Sequence, residues 1–489
     1  MPAACLTSAA VRSQQEAMQD SHINQTVASG RETPYNDDAK VPGSTPNVPV
    51  TQSGPMDEVR LITLDPAHFH AALVQKEMYS GVSPEVAVYA PLGFDLTEHL
   101  VRMVRFNSRP EAPTAWKLDI HTGPDFLERM TRERPGNVAV LSGRNSAKIG
   151  RILRCIESGL HVLADKPWIL DSRDLPKIQQ ALELAEKKGL VAYDIMTERY
   201  EVTSILQREL VNTPDVFGAI LAGDRGNPAV FMESVHRLMK SVAGVPSLRP
   251  AWFFDINEQG EALTDVGTHL VDLALWTVYP GQAVDYQEDI RMLDARRWPT
   301  TLTRDQWRQV TGAEEFPSFL SGYLKDGSLD YHCNNFVSFA LRGVHIQMSV
   351  LWDFAGPPSS DTFLARFCGT KARVEVRQGS AENFRPEVYV VPNTGTLRNE
   401  VLVGLRKKIG SLKSSFEGVD VEERGDEFRL TIPDRHRVGH EAHFAQVTRR
   451  FFEYLKNPQA VPNWEKPNML AKYCVTTAGV ELARLRDAR

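Results

Sequence analysis

Hydrophobic positions follow two regimes along the chain, preceded by a stretch that follows neither. Residues 1–57 are rich in Ser, Thr, Gln, Asn, Asp and Pro and hold no apolar periodicity over successive helical turns. Such a segment cannot bury enough surface to offset its ordering entropy, so it is expected to be a disordered extension. At Val59 the pattern changes. VRLITL (59–64) is strand-like, AHFHAALVQKEMYSG (67–81) has helical spacing and EVAVYA (85–90) is again strand-like. The alternation continues through DLTEHLVRMVRF (95–106), WKLDIH (116–121), PDFLERMTRE (124–133) and NVAVLSG (137–143). It ends with AKIGRILRCIESG (147–159), HVLADKP (161–167), LPKIQQALELAEKKG (175–189) and LVAYDI (190–195), with Gly159 a helix-closing signal. Strands alternating with helices predict a doubly wound parallel sheet of Rossmann type over residues 58–195.

The second regime, residues 196–489, starts with one more helical stretch, TDVGTHLVDLALWTVY (264–279). Strands then dominate: FVSFALRG, VHIQMSVLWDF and FLARFCGTKARVEVRQG. Two terminal helices are expected at 441–457 and 467–487. Strands in series predict a large mixed or antiparallel sheet. The fold class is therefore α/β, a Rossmann-type domain followed by an α+β domain.

Composition narrows the function without naming it. With 56 Lys+Arg against 62 Asp+Glu in 489 residues, the net charge of −6 argues against a nucleic-acid partner. The longest apolar runs are far too short to span a bilayer. The five cysteines form no CxxC pair, which speaks against a zinc ribbon or a thioredoxin-type site; they are expected to be reduced, as in a cytoplasmic enzyme. The opening MPAAC places small residues before Cys5 as a lipoprotein signal does, without the charged and apolar regions that precede such a cysteine. A periplasmic or lipid-anchored protein is thus the alternative if the true start lies upstream.

Candidate chemistry sits in three places. The first strand-to-helix turn reads DPAHFHAAL, with no glycine between Leu61 and Tyr79, where a dinucleotide domain usually carries GxGxxG. Pro66 and Ala67 make a tight turn there, the following helix start can attract an anion, and His68 and His70 can add donors; alternatively the histidines only satisfy local polar groups. Gly143, Asn145, Asp165, Lys166 and Pro167 all fall just beyond predicted strand ends, where open parallel sheets bind ligands. Lys166 there is either a point charge or proton donor in the cleft, or part of an ordinary surface turn. The third place is Asp265, His269 and Asp272, spaced i, i+4, i+7. On one helix face, Asp265 would orient His269 and raise its proton affinity, suiting it to take a hydroxyl proton; the bland alternative is a helix cap and a structural histidine. His236, Lys240, Arg249 and Trp252 precede that helix and suit a sugar cleft. HEAH (440–443) misses the H-E-x-x-H spacing, and no metal is expected.

Four features in order resemble the glucose-fructose oxidoreductase and inositol dehydrogenase family (Gfo/Idh/MocA). They are the strand leading to Asn145; GLHVLADKP, similar to G-x-x-V-x-x-E-K-P; ERY at 198–200; and TDVGTHLVDLALW, similar to D-x-G-x-H-x-x-D. FCGTKARVEV resembles the family's G-T-x-G strand. DPAHFHAAL, YDIMTERYEVT, RPAWFFD and GHEAHF resemble a branch with its own oxidoreductase C-terminal domain, linked to glycoside 3-oxidation. The resemblance implies an NAD- or NADP-dependent dehydrogenase acting on a sugar or glycoside hydroxyl, at C3, to give a 3-keto sugar. It places Lys166, Asp265 and His269 in the catalytic positions. Pro66, His68, His70, Gly143, Asn145, Asp165, Lys166 and Pro167 would face the cofactor. Arg199, His236, Lys240, Trp252, Asp265 and His269 would face the substrate. It also implies a homo-oligomer paired through the C-terminal sheet. Asp165 stands for the usual Glu and Lys148 for a common His. Two alternatives remain: an NAD-dependent glycosidase working by transient oxidation and elimination, and a non-catalytic binding protein on a dehydrogenase fold. Net reduced nicotinamide would separate the first alternative from a dehydrogenase, and the missing GxGxxG is the feature that favours the second.

Overall fold

In the computed structural model, which describes residues 58–242, 245–354, 360–393 and 398–488, strands and helices alternate through the first regime as the pattern predicts. The N-terminal 1–57 and the side chains at 240–247 lie outside the described residues. The first sheet has six parallel strands: β1 (Leu61–Pro66), β2 (Glu85–Ala90), β3 (Lys117–Thr122), β4 (Val138–Ser142), β5 (His161–Ala164) and β6 (Ala192–Asp194). Their spatial order is β3-β2-β1-β4-β5-β6. Central β1 and β4 are buried at every position, whereas edge strand β3 has no buried position. The order reverses between β1 and β4, so a crevice opens beyond their carboxyl ends. Helices Phe94–Ser108, Phe126–Glu133, Asn145–Glu157 and Leu175–Lys187 flank the sheet, and Gly159 at φ +83° follows the third of them.

One predicted helix is much shorter than its pattern. The periodic stretch 67–81 forms a helix only over His70–Val74. The Trp116 indole N–H donates to the Gln75 carbonyl (2.6 Å) and Thr63 Oγ1 donates to Gln75 Oε1 (2.9 Å), which fixes Gln75 at the point where the helix stops.

The second sheet is mixed. Its strands are β7 (Val230–Arg237), then, beyond a small hairpin of β8 (Lys240–Val242) and β9 (Val245–Ser247), β10 (Ile290–Leu302), β11 (Leu324–Lys325), β12 (Ser328–Leu341) and β13 (Val344–Asp353). They continue with β14 (Thr362–Cys368), β15 (Ala372–Gln378), β16 (Glu387–Pro392), β17 (Asp420–Arg424) and β18 (Glu427–Thr431). The order is β10-β12-β13-β7-β14-β15-β16-β18-β17, with β11 on β12; β13 and β7 are parallel and the other pairs antiparallel. Met232, Val337, Met348 and Val350 on one face join a core with Leu263, Leu270 and Leu273 from the helices at 262–278.

The last two helices, His440–Lys456 and Glu465–Asp487, return to the first sheet. Phe444, Val447 and Phe451 pack with Leu61, Leu73 and Val138, while Met469, Leu470 and Tyr473 pack with Ile62, Ile149 and Ile178. Cys155 and Cys333 are buried, and Cys368 and Cys474 are half-buried; all four are free. No helix among the described residues is long and apolar enough to cross a membrane.

Five buried charges join these parts. Lys472 Nζ lies 2.9 Å from Asp194 at the end of β6 and 3.3 Å from Asp272 on the Gly267–Val278 helix. Arg199 grips both oxygens of Asp272 at 2.6 Å and both oxygens of Glu465 at 2.8 and 3.0 Å. Burial works against ionised Asp272, but Arg199 and Lys472 outweigh it and hold its pKa at about 2, below the ordinary 3.8. A depressed carboxyl contributes stability that is full above its unfolded pKa and is lost as pH falls through the folded value. Asp272 is therefore expected to contribute roughly 2 kcal/mol at neutral pH that disappears on acidification from about pH 4 to about pH 2. Denaturant unfolding of Asp272→Asn across that range should show a large loss at pH 7 and little remaining difference near pH 2; an equal difference at both would refute the assignment.

Candidate active site

Beyond the ends of β1, β4 and β5 lies a cavity of about 750 Å³, closed on its far side by the second sheet. His68, His70 and Lys166 line it from the first sheet, His236 and Trp352 from the second, and Asp265 and His269 from the helices between. Glu198 and His440 complete the wall, with His440 Nδ1 3.3 Å from Glu198 Oε1.

Lys166 Nζ donates to Asp265 Oδ1, and both side chains are buried. Gln259 Nε2 donates to Asp265 Oδ2 (3.1 Å), and Asn145 Nδ2 donates to the Gln259 carbonyl (2.8 Å). The line Asn145–Gln259–Asp265–Lys166 thus crosses from the first sheet to the second layer. Burial tends to raise the Asp265 carboxyl, but the Lys166 ammonium prevails and holds it below its ordinary value. His269 is different. Burial, reinforced by the Lys166 charge, pushes its pKa down to about 3. The imidazole is neutral near pH 7, and its Nδ1 finds no hydrogen-bond partner among the described residues.

A second buried pair lies beneath. Lys148 Nζ donates to Asp165 Oδ1 and, at 3.1 Å, to the Asp165 carbonyl. Oδ2 accepts from Ser142 Oγ (3.0 Å) and lies 3.0 Å from His70 Nδ1 and 3.4 Å from His68 Nδ1. Burial disfavours the Asp165 anion, yet Lys148 and the two histidines hold its carboxyl well below the usual range. Burial also lowers both imidazoles, His70 the more because His68 adjoins it.

The cavity is one end of a longer cleft. A recess of about 440 Å³, beside Ala90, Phe94, Arg144 and Trp252, lies near the ends of β1 and β2. A constriction of about 40 Å³ at Pro66–Phe69 shares Trp252 and Asp95 with the recess, and His68 and Phe253 with the cavity. In the recess, Arg144 donates to Asp95 Oδ2 (2.9 Å) and stacks on Trp252 at 5.0 Å. Asn145 Oδ1 is buried without a hydrogen-bond partner among the described residues. An elongated ligand with ring systems at both ends and anionic groups between them suits this run.

Residues 206–484 match the family described as "Putative oxidoreductase C terminal domain". A crystal structure of a "putative oxidoreductase" from Parabacteroides merdae is 43% identical, covering 88% of this chain and 98% of that one with a TM-score of 0.85. The chain belongs to this oxidoreductase family. At the level of fold alone it is also similar to GenD2 from gentamicin A biosynthesis, solved in complex with NAD (16% identity, 91% of this chain and 98% of that one, TM-score 0.53). A variant of KijD10, a 3-ketoreductase from Actinomadura kijaniata in complex with TDP-benzene and NADP, shares the fold too (15% identity, 87% and 97%, TM-score 0.52). No curated protein matches the chain.

Several expected positions differ in this family member. Asp265 does not orient His269. A short helix, Ala262–Asp265, ends before the Gly267–Val278 helix begins, and the Asp265 carboxylate turns to Lys166 and Gln259. Burial and the Lys166 charge lower the proton affinity of His269, where the expected orienting Asp265 would raise it. Arg199, expected at the substrate, does not line the cavity; its guanidinium pairs with Asp272 and Glu465. Trp252 faces the recess and donates to Asp95 (3.0 Å), away from the large cavity. Arg249 and His236 do line the cavity, His236 3.1 Å from Asp361; the Lys240 side chain lies outside the described residues. His68 and His70 aim their Nδ1 atoms at Asp165, not along the cleft. Pro66 borders the constriction and Pro167 is buried. Sequence reasoning passed over Gln259, which nothing in its local pattern marks, and Lys148, noted only as a replacement for His.

Gly143 allows the glycine-free first turn to pack closely on the neighbouring strand end. The His68 amide donates to the Ser142 carbonyl (3.2 Å) and Ser142 Oγ to the His68 carbonyl (3.1 Å), so the β1 loop lies directly on the end of β4. Gly143 sits at φ +89°, and a Cβ there would stand 2.7 Å from the His68 amide nitrogen and 2.8 Å from the Ala67 carbonyl carbon. Glycine at 143 is therefore what lets the glycine-free β1 loop pack against the end of β4. Gly143→Ala should therefore destabilise the protein by about 1–3 kcal/mol and displace His68; thermal melting at the wild-type midpoint would show the loop does not need glycine.

Proposed function

We propose that the protein is an NAD(P)-dependent dehydrogenase of the Gfo/Idh/MocA type, moving hydride between a sugar or glycoside hydroxyl, at C3, and nicotinamide. The observation that carries this reading is the buried Lys166–Asp265 pair beside neutral His269 in the wall of a cavity at the strand ends. About 750 Å³ is within the range of small-molecule sites. The cofactor complexes of GenD2 and the KijD10 variant, on the same fold, support a nicotinamide in the cleft.

The recess beside Phe94 and Trp252, the Arg144 cation and the unsatisfied Asn145 amide oxygen are the groups that would hold a dinucleotide. When bound, the nicotinamide supplies hydride transfer. The chain supplies alignment and proton handling. Asp265 and the Gln259 amide fix Lys166, whose ammonium would donate to the reacting oxygen. His269, already unprotonated, would take the hydroxyl proton during oxidation, and the Glu198 carboxylate nearby favours the imidazolium so formed. Trp352 and His236, from parallel neighbours β13 and β7, offer an apolar face and a polar edge to the sugar ring.

A second reading, glycoside cleavage through transient oxidation, draws on the His440–Glu198 pair. It gives the same cavity a second imidazole–carboxylate set, which proton removal beside a keto carbon would use. We also propose a homo-oligomer through the outer face of the large sheet, where half-buried Phe231 and Phe336 lie under Arg366 and Arg296; a monomer by light scattering would refute it.

Mass spectrometry of nucleotide released on denaturing the purified protein, before and after soaking with NAD(H) and NADP(H), should find a retained dinucleotide. Wild type should then reduce it with glycoside substrates, and Lys166→Met should lower kcat by about 10²–10⁴-fold while keeping nucleotide. No retention of either dinucleotide would leave only weak, transient cofactor binding or a fold without a redox role, and glycoside cleavage without net reduced nicotinamide would favour the second reading.

A further inference from the structure

We propose that His68, His70 and Asp165 form a binding site for a divalent transition-metal ion in the cavity wall. This inference goes beyond the dehydrogenase reading and does not depend on it. The chain brings the three donors together from two strand ends. His68 and His70 follow β1, and Asp165 follows β5, 95 residues further on.

The geometry is that of a set awaiting one ion. His70 Nδ1 lies 3.0 Å and His68 Nδ1 3.4 Å from the same oxygen, Asp165 Oδ2, and one ligand atom from each residue falls within 4.8 Å of the others. Ligands about 2.1 Å from a tetrahedral zinc stand roughly 3.4 Å apart, so small side-chain shifts close the set. A hydrogen-bonded cluster explains the arrangement less well. Oδ2 already accepts from Ser142 Oγ, and the 3.4 Å approach of the buried His68 Nδ1 to that oxygen falls short of hydrogen-bond geometry. Leaving such a nitrogen unsatisfied costs free energy that an ion would recover.

The surroundings match an outer ligand shell. The other carboxylate oxygen of Asp165 is held by Lys148 and by the Gly143 amide (3.3 Å), which orients the carboxylate. The His70 ring packs on Phe444 with centroids 4.7 Å apart. Of the nearest ammonium groups, Lys166 is matched by Asp265, while Lys148 shares Asp165 with the proposed ion through the other carboxylate oxygen. Two imidazole nitrogens and one carboxylate oxygen suit zinc, cobalt, nickel, manganese or ferrous iron better than magnesium or calcium. His68 and His70 also line the cavity, which places the proposed ion beside it.

The test needs neither nucleotide nor sugar. Tag-free protein, stripped by dialysis against a chelator, is titrated with Zn²⁺ alone and with Co²⁺ alone, and retained metal is counted after gel filtration. The expected result is one ion per chain, visible d–d absorption of the Co²⁺ form and a raised Tm. His68→Ala and His70→Ala should each weaken binding by about 10-fold or more, while His345→Ala leaves it unchanged. Substoichiometric retention by wild type, or unchanged affinity in both site variants, would overturn the proposal. Should either variant fold poorly, the wild-type Co²⁺ spectrum decides: its absence overturns the site whatever the variants do. Because no redox cofactor enters the experiment, failure here leaves the dehydrogenase reading where it stands.

Discussion

Burying five charges in a row is costly unless each finds its partner, and Asp194, Lys472, Asp272, Arg199 and Glu465 find theirs only when three separate parts of the chain meet. Asp194 ends the first sheet, Asp272 sits on the helix that carries His269, and Glu465 and Lys472 belong to the last helix. Removing any member leaves a neighbour charged and dry. The relative position of Lys166, beyond β5, and His269, one turn before Asp272, is therefore set by an electrostatic requirement and not by the apolar packing alone. Hydrophobic burial brings the layers together; the charge line fixes how they register.

The same logic repeats nearer the cavity. Lys148 with Asp165 and Lys166 with Asp265 are two buried pairs, one beneath the strand ends and one at the wall. Both lysines follow from the parallel sheet: one lies in the first turn of the helix after β4 and the other two residues beyond β5. Their carboxylates differ in origin, Asp165 being the immediate neighbour of Lys166 and Asp265 coming from 99 residues away. Adjacent residues thus answer to different partners, which lets a short turn hold one group for structure and present the other to the cleft.

The sequence pattern conveyed the fold well where one element explains itself. Strand β2 falls on the predicted 85–90, and the helix after β5 begins at the predicted Leu175. Patterns failed where a distant partner decides. Nothing within 67–81 announces that Trp116 will occupy the Gln75 carbonyl, and i, i+4 spacing cannot reveal that the helix breaks at Val266 and sends Asp265 to Lys166. The candidate site divides the same way. Lys166, Asp265 and His269 do meet at one cavity, while Arg199 and Trp252 are polar or aromatic groups whose appetites are met elsewhere. Glycine shows the limit of motif reading most directly: the first turn holds none, yet its packing on β4 demands one at Gly143, which the motif does not mark.

The return of the last two helices has a consequence for how the polypeptide is made. Phe444, Phe451, Met469 and Tyr473 fill both faces of a sheet whose strands are complete by residue 194. During synthesis, an emerging chain would carry that sheet half-covered for more than two hundred further residues, with apolar surface open to water. The ribosome must release almost the entire polypeptide before the first layer to be translated can close. Native topology here delays the closure of the part made earliest.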